Sequence, residues 1–137
     1  MACLDTTVLV DLLRTNLQLK RRALDKIEQL SARGQTIATT RFNLAELYVG
    51  IELSDDPERN YQRVKNILDD IDAILEFNDL AAKSFGRTVA HLRHIGRPTG
   101  DLDMLIAATS LAGGHALLIT RNPSHFASIP GLTVERY

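Results

Sequence analysis

Seventeen acidic residues are spread through this chain of 137, and a few stand where a solvated surface does not account for them. Glu46 lies in Leu44-Ala45-Glu46-Leu47-Tyr48-Val49, inside a stretch that reads as a helix apolar on most sides. An acid there is expected in a dry place. No lysine or arginine lies three or four residues away to offset it, and a buried carboxylate without a partner takes up a proton or finds a cation. A remote arginine or a backbone donor is the competing explanation. Asp5 follows the short run Ala2-Cys3-Leu4, where a strand delivers its last residue to a ligand-binding edge, with the Thr6 hydroxyl beside it. An ordinary helix cap is the alternative. Asp101-Leu102-Asp103 heads another apolar helix. The helix dipole favours acids there, which explains one of them. Residues two apart diverge on a helix, so Asp103 is expected to point into a shared site, with Asp101 as a supporting or alternate metal ligand. Thr120-Arg121-Asn122 closes the run Leu117-Leu118-Ile119. Thr120 and Asn122 suit hydrogen bonds to a bound water and Arg121 suits a phosphate, with simple turn chemistry at Asn122-Pro123 as the rival.

Carboxylates that converge repel one another unless a cation joins them. Oxygen-only ligands point to a hard divalent ion, Mg²⁺ or Mn²⁺. Cys3 is the one cysteine, which excludes an internal disulfide and a cysteine-based zinc site. His91, His94, His115 and His125 have no zinc-protease spacing and read first as plain surface residues, with contact to a polyanion the second reading. Sixteen basic residues nearly balance the acids, so no global positive field draws the chain onto nucleic acid. A local patch is needed. Lys83, Arg87, His94 and Arg97 lie roughly along one side of a helix and, with Arg121, are candidates to hold a substrate backbone; a solvated face explains the same stripe. No secretory leader and no long apolar run is present, so the expected location is the cytoplasm and no membrane is involved.

The elements that must position these residues alternate. Ala2–Leu4 reads as a strand leading into a short helix with Val8, Leu9, Leu12 and Leu13 at helical spacing. A helix from Arg21 to Arg33 turns Ala23, Ile27 and Leu30 inward and stops at Gly34. Thr36–Thr39 is a second strand, followed by the apolar helix from about Thr40 to Leu53 that carries Glu46. Pro57 opens a polar helix to about Asp70, and Ala73–Leu75 is a third strand. Asn78 caps a long helix that ends before Gly96, and Asp101 to Ala112 is the second apolar helix, stopped by Gly113-Gly114. Ala116–Thr120 has the continuous apolar character of a doubly covered strand, and Leu132–Glu135 is the last. The expected fold is α/β, one domain over residues 1–137, with a mostly parallel sheet of roughly four to five short strands flanked by helices.

The order of these pieces resembles the PIN-domain family, and within it the VapC-like toxins of toxin–antitoxin pairs. The matching segments are Leu4-Asp5-Thr6, Asn43-Leu44-Ala45-Glu46-Leu47, Gly100-Asp101-Leu102-Asp103 with the helix after it, Ile119-Thr120-Arg121-Asn122, Phe126, and the closing Pro130–Glu135. The resemblance implies a three-layer sandwich and a metal-binding triad of Asp5, Glu46 and Asp103, with Asp101 close by. It implies endonucleolytic cleavage of RNA by metal-activated water, and since no histidine pair is obvious for activating the ribose 2′-hydroxyl, the expected products carry 5′-phosphate and 3′-hydroxyl ends. It also implies a homodimer held in check by an antitoxin. Where the family often has a further acid, this chain has Asn122, which keeps an oxygen ligand and removes a charge. An RNA-processing nuclease outside a toxin pair, and a phospho-accepting receiver-like domain, are the alternative readings. The receiver type should carry a lysine where Arg121-Asn122 stands.

Overall fold

The computed structural model describes residues 1–137. Five strands, β1 (Ala2–Leu4), β2 (Ile37–Thr40), β3 (Ala73–Leu75), β4 (Leu117–Ile119) and β5 (Thr133–Glu135), alternate with six helices. The helices are α1 (Thr6–Leu13), α2 (Leu17–Ala32), α3 (Arg41–Glu52), α4 (Pro57–Leu68), α5 (Asp79–His94) and α6 (Asp101–Ala112), and a 3₁₀ turn spans Pro123–His125. All strand pairings are parallel, in the order β3-β2-β1-β4-β5. The sheet is therefore wholly parallel. The chain builds outward from β1 to β3, then returns to lay β4 on the other side of β1. That reversal opens a crevice beyond the C-terminal ends of β1 and β4, where α/β sheets hold their ligands.

Side-chain alternation along β1 splits the core into two layers. Ala2 and Leu4 join Val8, Leu9, Leu30, Leu44 and Val64 under the helices α1 to α4. Cys3 points the other way, into a cluster with Leu92, Met104, Ile106, Leu118 and Phe126 under α5 and α6. Both faces of the central strands are covered, which is why β1 and β4 read as continuous apolar runs.

Local signals place most helix ends. Gly34 adopts φ 67° after α2, and Gln35 N–H reaches back to the Leu30 carbonyl at 3.0 Å, a left-handed cap that a side chain would strain. Asn78 caps α5 by accepting from Ala81 N–H at 3.0 Å. The start of α2 differs from expectation: it begins at Leu17 rather than Arg21. Asn16 caps it by accepting from Gln18 N–H at 3.0 Å, and the first turn was hidden because Leu17 is exposed and departs from the inward stripe.

Candidate active site

Asp5 takes up the N-cap position of α1, yet its side chain makes no capping hydrogen bond. The carboxylate, almost fully buried at 5 % exposure, is turned to the sheet edge instead. There it accepts from the hydroxyls of Thr120 at 2.7 Å and Thr7 at 3.0 Å and from the Asn43 amide at 3.3 Å. Three donors converging on one acid hold it in a fixed orientation. β1 and β4 bring Asp5 and Thr120 together because they are paired neighbours ending in register.

Asn43 is the residue that joins Asp5 to α3. Its side-chain oxygen closes a capping box with Thr40, accepting from Thr40 N–H at 3.2 Å and from the Thr40 hydroxyl at 2.7 Å. Its amide then donates to Asp5 and, at 3.0 Å, to the Thr6 hydroxyl. Thr6 in turn donates to Glu46 at 2.5 Å. One fully buried amide thus links the helix start to two carboxylates.

Glu46 is not in a dry place. The residue is exposed, because α3 presents this side to the rim of the cleft while Leu44, Leu47 and Ile51 go to the core. Its carboxylate nevertheless feels the cleft. Partial burial raises its pKa, the Thr6 hydrogen bond opposes that, and the charges of Asp5 and Asp103 push it further up. Asp103 is raised too, first by burial, with a nearby His125 opposing and Asp5 adding to the rise. The three acids therefore sense one another electrostatically. His125 Nδ1 lies 3.4 Å from Asp103, so this histidine, expected at the plain surface, stands at the site. His115 also departs from expectation: the turn at Gly113-Gly114 tucks it inside, with Nδ1 2.9 Å from the Gly113 carbonyl.

Together Asp5, Thr6, Thr7, Glu46, Asp101, Asp103, Asn122 and His125 line a cleft of about 400 Å³. Asp101 and Asn122 are on its exposed lip. No three acidic or histidine side chains close into a finished metal cage. The donor set is all oxygen apart from His125, and the mutual repulsion of the acids is what a hard divalent cation would relieve. The residues fit such an ion chemically.

The basic candidates fall elsewhere. Arg121 Nε lies 3.1 Å from Asp11, a fully buried acid that Arg14 also approaches at 3.2 Å and to which Tyr137 donates at 2.8 Å. Arg121 is therefore engaged along the sheet edge, and its backbone N–H donates to Thr7 at 3.1 Å. Lys83, Arg87, His94 and Arg97 are exposed on and after α5 and do not line the acidic cleft; Lys83 pairs with Asp79 at 2.7 Å. Asn43, Thr7 and His125 were missed from sequence. Only Asn43 carried a local signal, the Thr-x-x-Asn spacing of a capping box.

Comparison with known proteins agrees with this geometry. A family model described as PIN domain matches residues 2–132. The chain is 28% identical to Ribonuclease VapC2 of Haemophilus influenzae, across 98% of this chain and 96% of that one. It is 35% identical to the tRNA(fMet)-specific endonuclease VapC of Shigella flexneri, across 67% of this chain and 68% of that one. Among solved structures it is similar to VapBC2 from Rickettsia felis bound to a DNA fragment from their promoter, with TM-score 0.86, 27% identity, and 99% and 98% of the two chains covered.

Proposed function

We propose that this chain, which belongs to the PIN-domain family and is a VapC-type toxin ribonuclease of a toxin–antitoxin module, cuts RNA with a divalent cation held by Asp5, Glu46 and Asp103. The observation that carries the assignment of residues is the convergence of these three acids on one cleft at the switch point of the sheet. Asp5, Glu46 and Asp103 would hold Mg²⁺ or Mn²⁺ there, and such an ion would supply Lewis acidity for activating water and offsetting phosphate charge.

The protein's own residues do the positioning. Asp5 is held rigid by Thr7, Thr120 and Asn43, which keeps its ligand oxygens aimed without reorganisation during the reaction. Thr6 orients Glu46. Asp101 and Asn122 line the exposed lip of the cleft, within reach of what enters it. Asn122 brings no charge, so the cleft keeps a smaller negative field against an incoming phosphate. His125 touches Asp103 and brings an imidazole into the lining of the cleft beside that acid.

An antitoxin is the proposed partner. Beside the cleft, and sharing Glu46 with it, an apolar groove of about 380 Å³ runs between α1, α3 and α4, lined by Val10, Leu13, Leu47 and Ile51. A segment seated there enters the acidic cleft directly, which is how such a partner would silence the enzyme. Val49 and Leu53 are exposed on and just past α3 and support a homodimer. No helix is long and apolar enough to cross a membrane, and cytoplasmic action on RNA is the proposed setting.

The test is cleavage of a mixed RNA pool by purified protein. Cutting should need Mg²⁺ or Mn²⁺, stop with EDTA, and vanish in Asp5→Asn. An Asp5→Asn protein that cuts as fast as the parent would remove the acid cleft from the reaction.

A further inference from the structure

We infer that the RNA strand leaving the acidic cleft is held by a cationic pocket of Arg22 and Arg136 at the β5 side of the sheet, not by the basic stripe on α5. This rests on the ribonuclease reading and names the surface that takes the rest of the substrate.

β1, β4 and β5 are parallel neighbours, so the residues that follow them leave from one edge. Asp5 follows β1, Thr120 follows β4 and Arg136 follows β5. Adjacent strands are about 4.8 Å apart, which puts the end of β5 roughly 10 Å along that edge from Asp5. α2 brings the second wall. Residues 22, 25, 26 and 29 fall on one helical face, and with Arg136 and Tyr137 they enclose a pocket of about 310 Å³. α2 begins near the same edge, because it must run back to the opposite end of the sheet to start β2. Arg22, near its beginning, is therefore on the cleft side of the pocket.

The charges inside this pocket are sorted. Asp25 is paired with Arg21 at 2.9 Å, and the buried Lys26 is paired with Glu135. Arg22 and Arg136 are exposed and have no carboxylate partner. Two unpaired guanidinium groups facing one pocket suit a phosphodiester, which they can bind in planar fashion. The edge beside the end of β4, where Arg121 follows, is also cationic. Arg14 and Arg121 share the single buried carboxylate of Asp11, leaving one net positive charge there. Tyr137 donates to that same Asp11 and also lines the Arg22–Arg136 pocket, so the two groups of arginines adjoin through it. By contrast, α5 offers no residue to the acidic cleft, and its Lys83 is already paired.

The experiment measures binding of fluorescein-labelled single-stranded RNA by anisotropy across a salt series, in the cleavage-dead Asp5→Asn background. Arg22→Ala with Arg136→Ala is compared with Arg59→Ala with Lys65→Ala, which removes the same charge from α4. For single strands each phosphate contact adds about 0.7 to the slope of log affinity against log salt. Losing two should flatten the slope by about 1.4, equivalent to about a 25-fold loss at 0.1 M relative to 1 M salt. The α4 pair should keep the Asp5→Asn slope. If both double variants behave alike, or if removing Arg87 and Arg97 flattens the slope instead, the assignment is wrong. A parent that neither cuts nor binds RNA would instead overturn the ribonuclease reading itself, and the two failures are told apart by that parent control.

Discussion

Replacing Asn43 by alanine removes four hydrogen bonds that meet in a space closed to water. The amide oxygen caps α3 through Thr40, and losing a cap costs about 1 kcal/mol. The amide nitrogen serves the buried Asp5 carboxylate and the Thr6 hydroxyl. An acceptor left without its donor in such a place costs about 1–3 kcal/mol. Asp5 keeps two other donors and Thr6 lies nearer solvent, so the lower part of that range applies. The total is about 2–4 kcal/mol, which in a chain of this size lowers Tm by roughly 7–14 °C. Urea denaturation in EDTA measures it. Asn43→Asp separates the two ends of the amide, because it keeps the capping oxygen and replaces the donor with a carboxyl 3.3 Å from Asp5. Its folded-state pKa is then raised by burial and like charge. The sign follows: stability is favoured below the unfolded pKa near 4 and declines as pH rises through the raised folded value. Asn43→Asp should therefore be weakest at neutral pH and regain stability toward pH 4, whereas Asn43→Ala should show no added pH dependence relative to the parent. An Asn43→Ala loss below about 0.5 kcal/mol, within the range of ordinary surface changes, would refute the linking role of this amide.

Three further outcomes are expected. Glu46 and Asp103 both have raised pKa values in the folded cleft, so without metal their contribution to stability declines from acidic toward neutral pH. In EDTA, Glu46→Gln with Asp103→Asn should flatten that decline in thermal melts, and Mg²⁺ should raise the Tm of the parent more than that of the double variant. Thr120→Val keeps the shape and removes the 2.7 Å hydrogen bond to Asp5; cleavage should fall roughly 10- to 100-fold, as for other supports of metal ligands, with a loss of about 1–3 kcal/mol in urea. Cys3 has no exposed surface and burial pushes its thiol up to about 12. A thiol reagent should label it only at the rate of unfolding, so rapid labelling of the native protein would contradict the packing of β1.

Much of the fold was legible because the sheet is parallel and covered on both faces. Its strands are short apolar runs, and its helices carry ordinary caps such as Asn78 and Gly34. The acids were legible because each interrupts an apolar segment. The exposure of Glu46 was not, since a helix that looks apolar all round in sequence can turn one side to a cleft rim, and Val49 shows the same side is open. The partners of the acids were hidden for another reason. His125 reaches Asp103 only because the 3₁₀ turn after β4 folds beside the start of α6, and Asn43 reaches Asp5 only because β2 lies beside β1. Arg121 read as a phosphate ligand from its place after β4. Its pairing with Asp11 depends on α1 crossing the same edge, a contact between segments over a hundred residues apart that no local pattern records.

The central claim is that Asp5, Glu46 and Asp103 act together through a divalent cation. Its most direct test is the cleavage rate of one defined RNA as a function of Mn²⁺ concentration, for the parent and for Asp5→Asn, Glu46→Gln and Asp103→Asn separately, with the product ends identified. The account predicts a saturable Mn²⁺ dependence in the parent, 5′-phosphate and 3′-hydroxyl products, and loss of cutting in each variant. Cleavage that persists in EDTA, or products ending in a 2′,3′-cyclic phosphate, would contradict it.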